Sequence, residues 1–308
     1  MKWSVALVSL LCICLPVIAG RSETKKKKLK VVTIESAPFT YVEEIDGKEH
    51  FSGFLIDILE ELKKKLGFET ELYLVPDGKY GYKDDSGWHG MIGELVNGKA
   101  DLALAPLTVS HKRESVVKFS IPYMSAGLVA ITQRPKPGQQ LPFIDVMDLV
   151  QKPTYKYGCV GQGSTYAFFV NNSHPLYKAM GMVLKDNPDQ LTESYAAGIE
   201  RVRKTKGYVF FGEEPGMKFY TGGEPCDLII VGKPLHERFY SLAFPLESDM
   251  ATLSNIALLE LNERGVKDRL MDKWWENDCK KPDYCICAAH VSSEESRENA
   301  TQPTRRWI

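Results

Sequence analysis

In the first half of the chain, segments with apolar residues at helical spacing alternate with short apolar runs typical of strands. Residues 53–67 place aliphatic side chains at three- and four-residue steps with Lys and Glu between them, which predicts an amphipathic helix closed by a glycine. The β-branched run 29–34 and the run 70–75 predict strands on either side of it. Residues 91–96 then predict a helix and residues 100–107 a strand. Strands that alternate with helices indicate an α/β sheet of the parallel type.

The second half of the chain repeats this alternation. It predicts strands at residues 127–132, 155–160 and 208–211, and helices that begin at Ser164 and cover residues 194–203. These elements predict a second α/β lobe.

The two ends of the chain differ from the part between them. Lys2 and an apolar run that ends in small residues are typical of a secretory signal peptide over residues 1–20, and an uncleaved membrane anchor is the alternative. Residues 250–275 are periodic and predict helix, whereas residues 283–308 are polar and predict a flexible tail. We therefore expect a secreted, extracellular product without a membrane span in its mature chain.

Composition narrows the class of protein. The 308 residues include 39 Lys and Arg against 40 Asp and Glu, and 44% of them are hydrophobic, as in an ordinary globular protein. These proportions exclude a disordered chain, a coiled coil and a basic nucleic-acid-binding protein.

The cysteines indicate disulfides rather than a metal site. Without the expected signal peptide five remain: Cys159, Cys226, Cys279, Cys285 and Cys287. An odd number leaves one unpaired or paired with another chain. Zinc is the alternative for the last three, but their spacings lack a matching second pair, so we expect no metal and no cofactor. Sequons at Asn171 and Asn299 fit glycosylation outside the cell.

Two segments carry residues suited to bind an anion. Arg113 follows an apolar strand that ends in Pro106 and Thr108, and arginine can hold a carboxylate with two parallel hydrogen bonds. The segment 161–165 opens a helix after a strand and offers backbone N–H groups. Taken singly, Arg113 is explained more simply as a solvated surface arginine, and the segment 161–165 is explained equally well as a plain helix cap.

Read together with four further segments, these residues resemble the ligand-binding domain of ionotropic glutamate receptors. The segments are VPDGKYG (75–81), NGKADLALAPLT (97–108), RVRKTKG (201–207) and LNERG (261–265). The resemblance covers residues 29–282. It implies an α/β clamshell of two lobes, of the type II periplasmic-binding-protein kind, in which lobe 2 (131–240) is inserted into lobe 1 (29–130 and 241–282).

The resemblance also implies a set of ligand contacts in lobe 1. Arg113 would hold the α-carboxylate of an amino acid, with the hydroxyl of Thr108 beside it. The carbonyl of Pro106 would meet the α-ammonium, and Tyr80 would form an apolar lid.

Further contacts are implied in lobe 2. Ser164 and Thr165 would donate hydrogen bonds to anionic oxygens, and Glu214 would hold the ammonium. Glu213 is the alternative for that role, because Pro215-Gly216 alters the turn that follows.

Two structural consequences follow from the same resemblance. The sequences around Cys226 and Cys279 match those around a disulfide pair of the family. Residues 134–140 stand where the receptors insert membrane helices, so this chain is not expected to conduct ions.

These observations predict a secreted, soluble amino-acid-binding protein that closes its lobes on the ligand, with L-glutamate as the expected ligand. One alternative is a clamshell-fold enzyme that uses Glu213 and Glu214 as acid and base on a small amino acid or carboxylate. The other is a structural extracellular protein that no longer binds ligand. Formation of a homodimer and association with a receptor stay open.

Overall fold

The computed structural model describes residues 27–275 and 278–279. The strands, numbered along the chain, are β1 (Lys28–Thr33), β2 (Tyr41–Ile45), β3 (Lys48–Ser52), β4 (Glu69–Leu74), β5 (Lys83–Asp84), β6 (Gly87–Trp88), β7 (Leu102–Leu104), β8 (Val117–Phe119), β9 (Met124–Gln133), β10 (Lys156–Gly158), β11 (Tyr208–Glu213), β12 (Leu228–Val231), β13 (Glu237–Tyr240) and β14 (Ala243–Pro245). The α-helices are α1 (Phe54–Leu66), α2 (Gly90–Val96), α3 (His111–Glu114), α4 (Val146–Val150), α5 (Ser164–Val170), α6 (Pro175–Asp186), α7 (Tyr195–Lys204), α8 (Glu214–Gly222), α9 (Met250–Glu263) and α10 (Val266–Trp274).

The first sheet has the strand order β4-β1-β7-β14-β8. Both of its faces are covered: Val31 packs with Leu55 of α1 and Leu258 of α9, whereas the next residue, Val32, packs with Met91 of α2. Neighbouring residues of a strand point to opposite faces, so a strand covered on both sides is apolar at consecutive positions. This burial explains the β-branched run that predicted β1. We call this sheet and its helices the first lobe.

The second sheet has the order β10-β11-β9-β12, with β13 paired to the first part of β9. It is also covered on both faces. Val209 packs with Phe169 of α5, and Phe210 packs with Ile199 of α7 and Met217 of α8. We call this sheet, with α4 to α8, the second lobe.

Strand β9 runs from one lobe into the other. Ala126 belongs to the core of the first lobe and Leu128 to that of the second. β13 lies antiparallel beside the first part of β9, and its last residue, Tyr240, packs in the first core. The chain thus leaves and re-enters the first lobe on paired strands, while the predicted lobe boundaries at residues 131 and 240 stay predictions.

Helix α1 shows how local sequence produces these elements. Its apolar residues at three- and four-residue steps are buried, and Lys63 lies in its last turn, where a cation interacts favourably with the helix dipole. Gly67 ends the helix with a φ of 72°, a left-handed conformation that glycine adopts without a Cβ penalty. The helix predicted over residues 53–67 is therefore confirmed.

The sheets differ from the parallel type that the sequence predicts. β1 pairs in parallel with β4 and β7, but β14 and β9 make antiparallel pairs. The predicted strand at residues 100–107 is restricted to β7, because the chain turns into the loop that carries Thr108. The β2–β3 hairpin and α6 were not predicted.

The disulfide pairing implied by the resemblance is confirmed, since Cys226 and Cys279 are bonded with their Cα atoms 5.5 Å apart. Cys159 is buried and has no disulfide partner among the described residues. The predicted signal peptide (1–20) and tail (283–308), which includes Cys285, Cys287 and Asn299, lie outside the described residues. Within residues 27–275 and 278–279, no helix has the length and apolarity needed to cross a bilayer.

Candidate ligand-binding site

A narrow cavity of about 10 Å³ lies where loops of the two lobes meet, with room for about one water molecule. Its lining residues are Tyr80, Pro106, Thr108 and Arg113 from the first lobe, and Val160, Gly163, Ser164, Thr165, Tyr195 and Glu213 from the second. Six of the seven ligand contacts that the resemblance implies are brought together here, and Glu214 is the exception.

Arg113 lies in the short helix α3 and is 4% exposed. Its guanidinium donates to two backbone carbonyls, from Nη1 to Thr108 at 2.8 Å and from Nη2 to Gly81 at 3.1 Å. No carboxylate of the described residues forms an ion pair with it. Burial lowers the pKa of Arg113 to about 10, so the guanidinium is still cationic at neutral pH. The first lobe therefore presents a buried cation without a bonded anion.

Gly81 allows its carbonyl to reach this arginine. Its φ is 145°, and a Cβ at this position would lie 2.4 Å from Cγ1 of Ile92. Such a backbone conformation and such a close approach are open to glycine alone. The loop after Tyr80 is therefore shaped by a residue without a side chain.

Glu213, the last residue of β11, is 3% exposed and accepts hydrogen bonds from both lobes. Its donors are Thr108 Oγ1 (2.6 Å), Ser164 Oγ (2.7 Å) and Arg238 Nη1 (3.1 Å) at Oε1, and the hydroxyls of Tyr195 (2.5 Å) and Tyr240 (3.2 Å) at Oε2. Burial acts to raise the pKa of Glu213, but Arg238 and the hydroxyl donors outweigh it and hold the pKa below its usual value. The carboxylate is thus ionised at neutral pH.

The structure places Glu213, and not Glu214, at the cavity. That residue begins α8, where its carboxylate pairs with Lys218 at 2.8 Å, one helical turn ahead. Neighbouring side chains at the end of a strand point apart, so only one of the two glutamates can face the cavity. That one is Glu213, the alternative that the sequence left open. Because the two carboxylates do not share the cavity, they are not arranged as an acid–base pair.

Thr165, near the start of α5, is buried, and its hydroxyl has no hydrogen-bond partner among the described residues. A buried hydroxyl without a partner is costly, since it has given up its bonds to water. Thr165 therefore offers an unused donor at the cavity, and its neighbour Ser164 already donates to Glu213.

Sequence reasoning missed Tyr195 and Arg238. Tyr195 lines the cavity at the start of α7, and Arg238 lies behind Glu213 on β13. At the two middle positions of β13 burial is the reverse of hydropathy, because Arg238 is buried whereas Phe239 is 41% exposed. No signal in the chain's hydropathy could have found this arginine.

Comparisons with known proteins find similar sequences. A family model described as "Ligated ion channel L-glutamate- and glycine-binding site" matches residues 27–136. "Glutamate receptor 3" of Rattus norvegicus is 25% identical over 382 residues, covering 82% of this chain and 43% of the receptor. "Probable glutamate receptor" of Lithobates berlandieri is 27% identical over 369 residues, covering 83% of this chain and 75% of that protein. The chain is similar to the ligand-binding domain of ionotropic glutamate receptors.

This relationship to the receptor ligand-binding domain confirms the predicted resemblance and the α/β clamshell class. The matched residues 27–136 contain the cavity residues of the first lobe, among them Arg113. The chain spans less than half the length of the glutamate receptor 3 proteins that it matches. Both alignments are also longer than the 308 residues of this chain, so the receptors contain stretches that it does not match.

Proposed function

We propose that the protein binds an α-amino acid between its lobes, with L-glutamate as the expected ligand, and that it acts as a binding protein rather than an enzyme. The observation that carries the proposal is the buried guanidinium of Arg113, which has no carboxylate partner among the described residues. A buried cation is costly unless an anion pairs with it. The α-carboxylate of an amino acid is an anion that the guanidinium fork can hold with two hydrogen bonds.

The second lobe supplies the complementary charge. Glu213 is a buried carboxylate on the opposite wall of the cavity, and the hydroxyls of Thr108 and Ser164 that donate to it can rotate to make room for an ammonium. The carbonyl of Pro106, on the same cavity, is the further acceptor we propose for that ammonium. Thr165 offers its unused hydroxyl to a second anionic group of the ligand.

Binding requires the lobes to move. The cavity volume of about 10 Å³ is far too small for an amino acid, so the lobes must part before a ligand enters. β9 and β13 are the strands that join the lobes, and we propose that bending occurs there. Closure on the ligand then brings Arg113 and Glu213 to opposite ends of one zwitterion.

We further propose that the protein is secreted. The leader-like residues 1–20 support this assignment, and Asn171 is exposed and accessible to glycosylation. The Cys226–Cys279 disulfide fits an oxidising compartment. Homodimer formation and association with a receptor are the partnerships we propose for such a product.

Thermal unfolding of the protein with each of the twenty amino acids tests the proposal. A ligand at about 100 times its Kd stabilises the folded state by about 2.7 kcal/mol, which raises Tm by several degrees. We expect this rise with L-glutamate in the wild-type protein and none in Arg113→Lys, because a single ammonium cannot replace the planar fork.

Arg134→Lys is the matched control. The guanidinium of Arg134 also donates to a backbone carbonyl, that of Leu228, but it does not line the cavity. This variant should keep the full ligand-induced rise in Tm. A wild-type protein whose Tm responds to none of the amino acids would contradict the proposal.

A further inference from the structure

Three charged side chains are buried close together, and two of them, Arg113 and Glu213, line the cavity. Arg113, Arg238 and Glu213 are 4%, 7% and 3% exposed. No other Asp, Glu, Lys or Arg side chain of the described residues is buried, and Glu214 is turned away and paired with Lys218. The site therefore carries two positive charges and one negative charge, a net charge of +1.

Arg238 supplies the positive charge in excess. Its Nη1 donates to Glu213 at 3.1 Å, and its guanidinium carbon lies 5.0 Å from the centre of the Phe168 ring. Strand β13 holds it in place by pairing with β9, where Arg238 lies opposite Ala126. Arg238 does not line the cavity itself, but it is bonded to Glu213, which does. It acts on a ligand through its charge and through Glu213.

The net charge of this cluster determines which amino acids can neutralise it. A neutral zwitterion adds one carboxylate and one ammonium, which leaves the buried cluster at +1. An acidic amino acid adds a net charge of −1 and brings the cluster to zero. Uncompensated charge is costly where water is excluded, since Coulomb interactions there are several times stronger than in bulk water.

We propose that Arg238 is a specificity-determining residue, which gives the site its excess positive charge and thereby selects amino acids of net charge −1 over neutral ones. The inference rests on the proposed function, because it assumes that an amino acid binds beside Arg113 and Glu213. It adds a residue outside the cavity that sets the charge class of the ligand.

L-Glutamate and L-glutamine are the probes for this inference, because they have nearly the same shape and differ by one charge. Their Kd values are measured by calorimetry on the full chain. We expect the wild-type protein to bind glutamate at least about tenfold tighter than glutamine. Arg238→Gln lowers the net charge of the site to zero and should abolish or invert this preference, while Arg238→Lys should retain it.

A double variant separates charge from lost packing. Arg238→Gln leaves Glu213 buried without its cation, which threatens the fold. Adding Glu213→Gln replaces the ion pair by two amides and returns the site to the net charge of +1 that Arg113 supplies. Both probes should bind the double variant more weakly, because the ammonium has lost its carboxylate, but the preference for glutamate should return. Thermal unfolding without ligand verifies that each variant is folded.

The outcomes separate the two proposals. A wild-type protein that binds glutamate and glutamine equally, or an Arg238→Gln variant that keeps the wild-type ratio, would overturn the role of Arg238 and leave amino-acid binding standing. A double variant that binds without the glutamate preference would overturn the charge argument in the same way. If the wild-type protein binds neither these probes nor any other amino acid, both proposals fail.

Discussion

Thr108 Oγ1 donates a hydrogen bond of 2.6 Å to Oε1 of Glu213, across the cavity and across 105 positions of the chain. Thr108 belongs to the loop that follows β7 in the first lobe, and Glu213 ends β11 in the second. The same threonine oxygen lies 3.1 Å from the hydroxyl of Ser164. These hydrogen bonds across the cavity are therefore made by groups that the resemblance assigns to the ligand, together with the glutamate next to the one it favoured.

Thr108→Val should weaken both the fold and ligand binding. Valine has nearly the same shape as threonine but lacks the hydroxyl that bonds the buried carboxylate. A hydrogen bond to a charged group contributes about 1.5–3 kcal/mol, so we expect a loss of this order in the free energy of unfolding measured with urea. We also expect the Kd for glutamate, measured by calorimetry, to rise about tenfold, because Thr108 faces the cavity.

Thr33→Val provides the control for that measurement. Thr33 is fully buried in β1 and donates to the carbonyl of Leu104 at 2.7 Å, away from the cavity. Its loss should cost about 1 kcal/mol of stability and leave the Kd unchanged. An equal loss of affinity in the two variants would show that Thr108 acts through stability alone.

Acid should reveal the state of Glu213. Its pKa in the folded protein lies below that of an unfolded glutamate, about 4.3, so its ionised form stabilises the folded state above that pH. This contribution is lost as the pH falls below about 4. Glu213→Gln has no such proton to take up, and its free energy of unfolding should therefore fall less between pH 7 and pH 3 than that of the wild-type protein, as measured with urea.

Glu200→Gln is the comparison for the acid experiment. The pKa of Glu200 is also lowered, by its hydrogen bond and charge interaction with Lys204, but both side chains are exposed. Water and salt screen such a pair, so this variant should follow the wild-type pH dependence. A Glu213→Gln variant that also follows it would contradict the ionised, bonded state of Glu213.

Much of the fold and the site could be predicted because the relevant signals are local. The periodicity of residues 53–67 produced α1, and the strand-like run 29–34 produced β1. The motif around Arg113 placed a cation at the end of an apolar strand, and the structure buries it at the cavity. In each case the residues that decide the structure are neighbours in the chain.

The remainder depends on signals that were overlooked or on contacts between distant segments. Asp46-Gly47, both with positive φ, join β2 to β3, and this dipeptide is a strong hairpin signal that could have been used. The choice between Glu213 and Glu214 depends on the residue at which β11 gives way to α8, and counting along a motif does not fix it. The buried Arg238 is paired with Glu213, which lies 25 positions away in the chain.

Gly81→Ala should disturb the position of the Arg113 guanidinium. A change in the same loop that leaves the carbonyl of Gly81 in place should disturb it less. The new Cβ would lie 2.4 Å from Ile92, in a backbone conformation that alanine rarely adopts, so we expect a loss of about 3 kcal/mol in the free energy of unfolding. The carbonyl that accepts from Nη2 of Arg113 would shift with it, and the Kd for glutamate should rise.

Gly78→Ala is the control, since its φ is 63° but nothing lies within 4 Å of the added Cβ. It should cost about 1 kcal/mol from backbone strain and leave the Kd unchanged. A folded Gly81→Ala variant that kept the wild-type Kd would contradict this prediction. The carbonyl of Gly81 would then not be what orients the guanidinium of Arg113, and the hydrogen bond to the carbonyl of Thr108 alone would suffice to orient it.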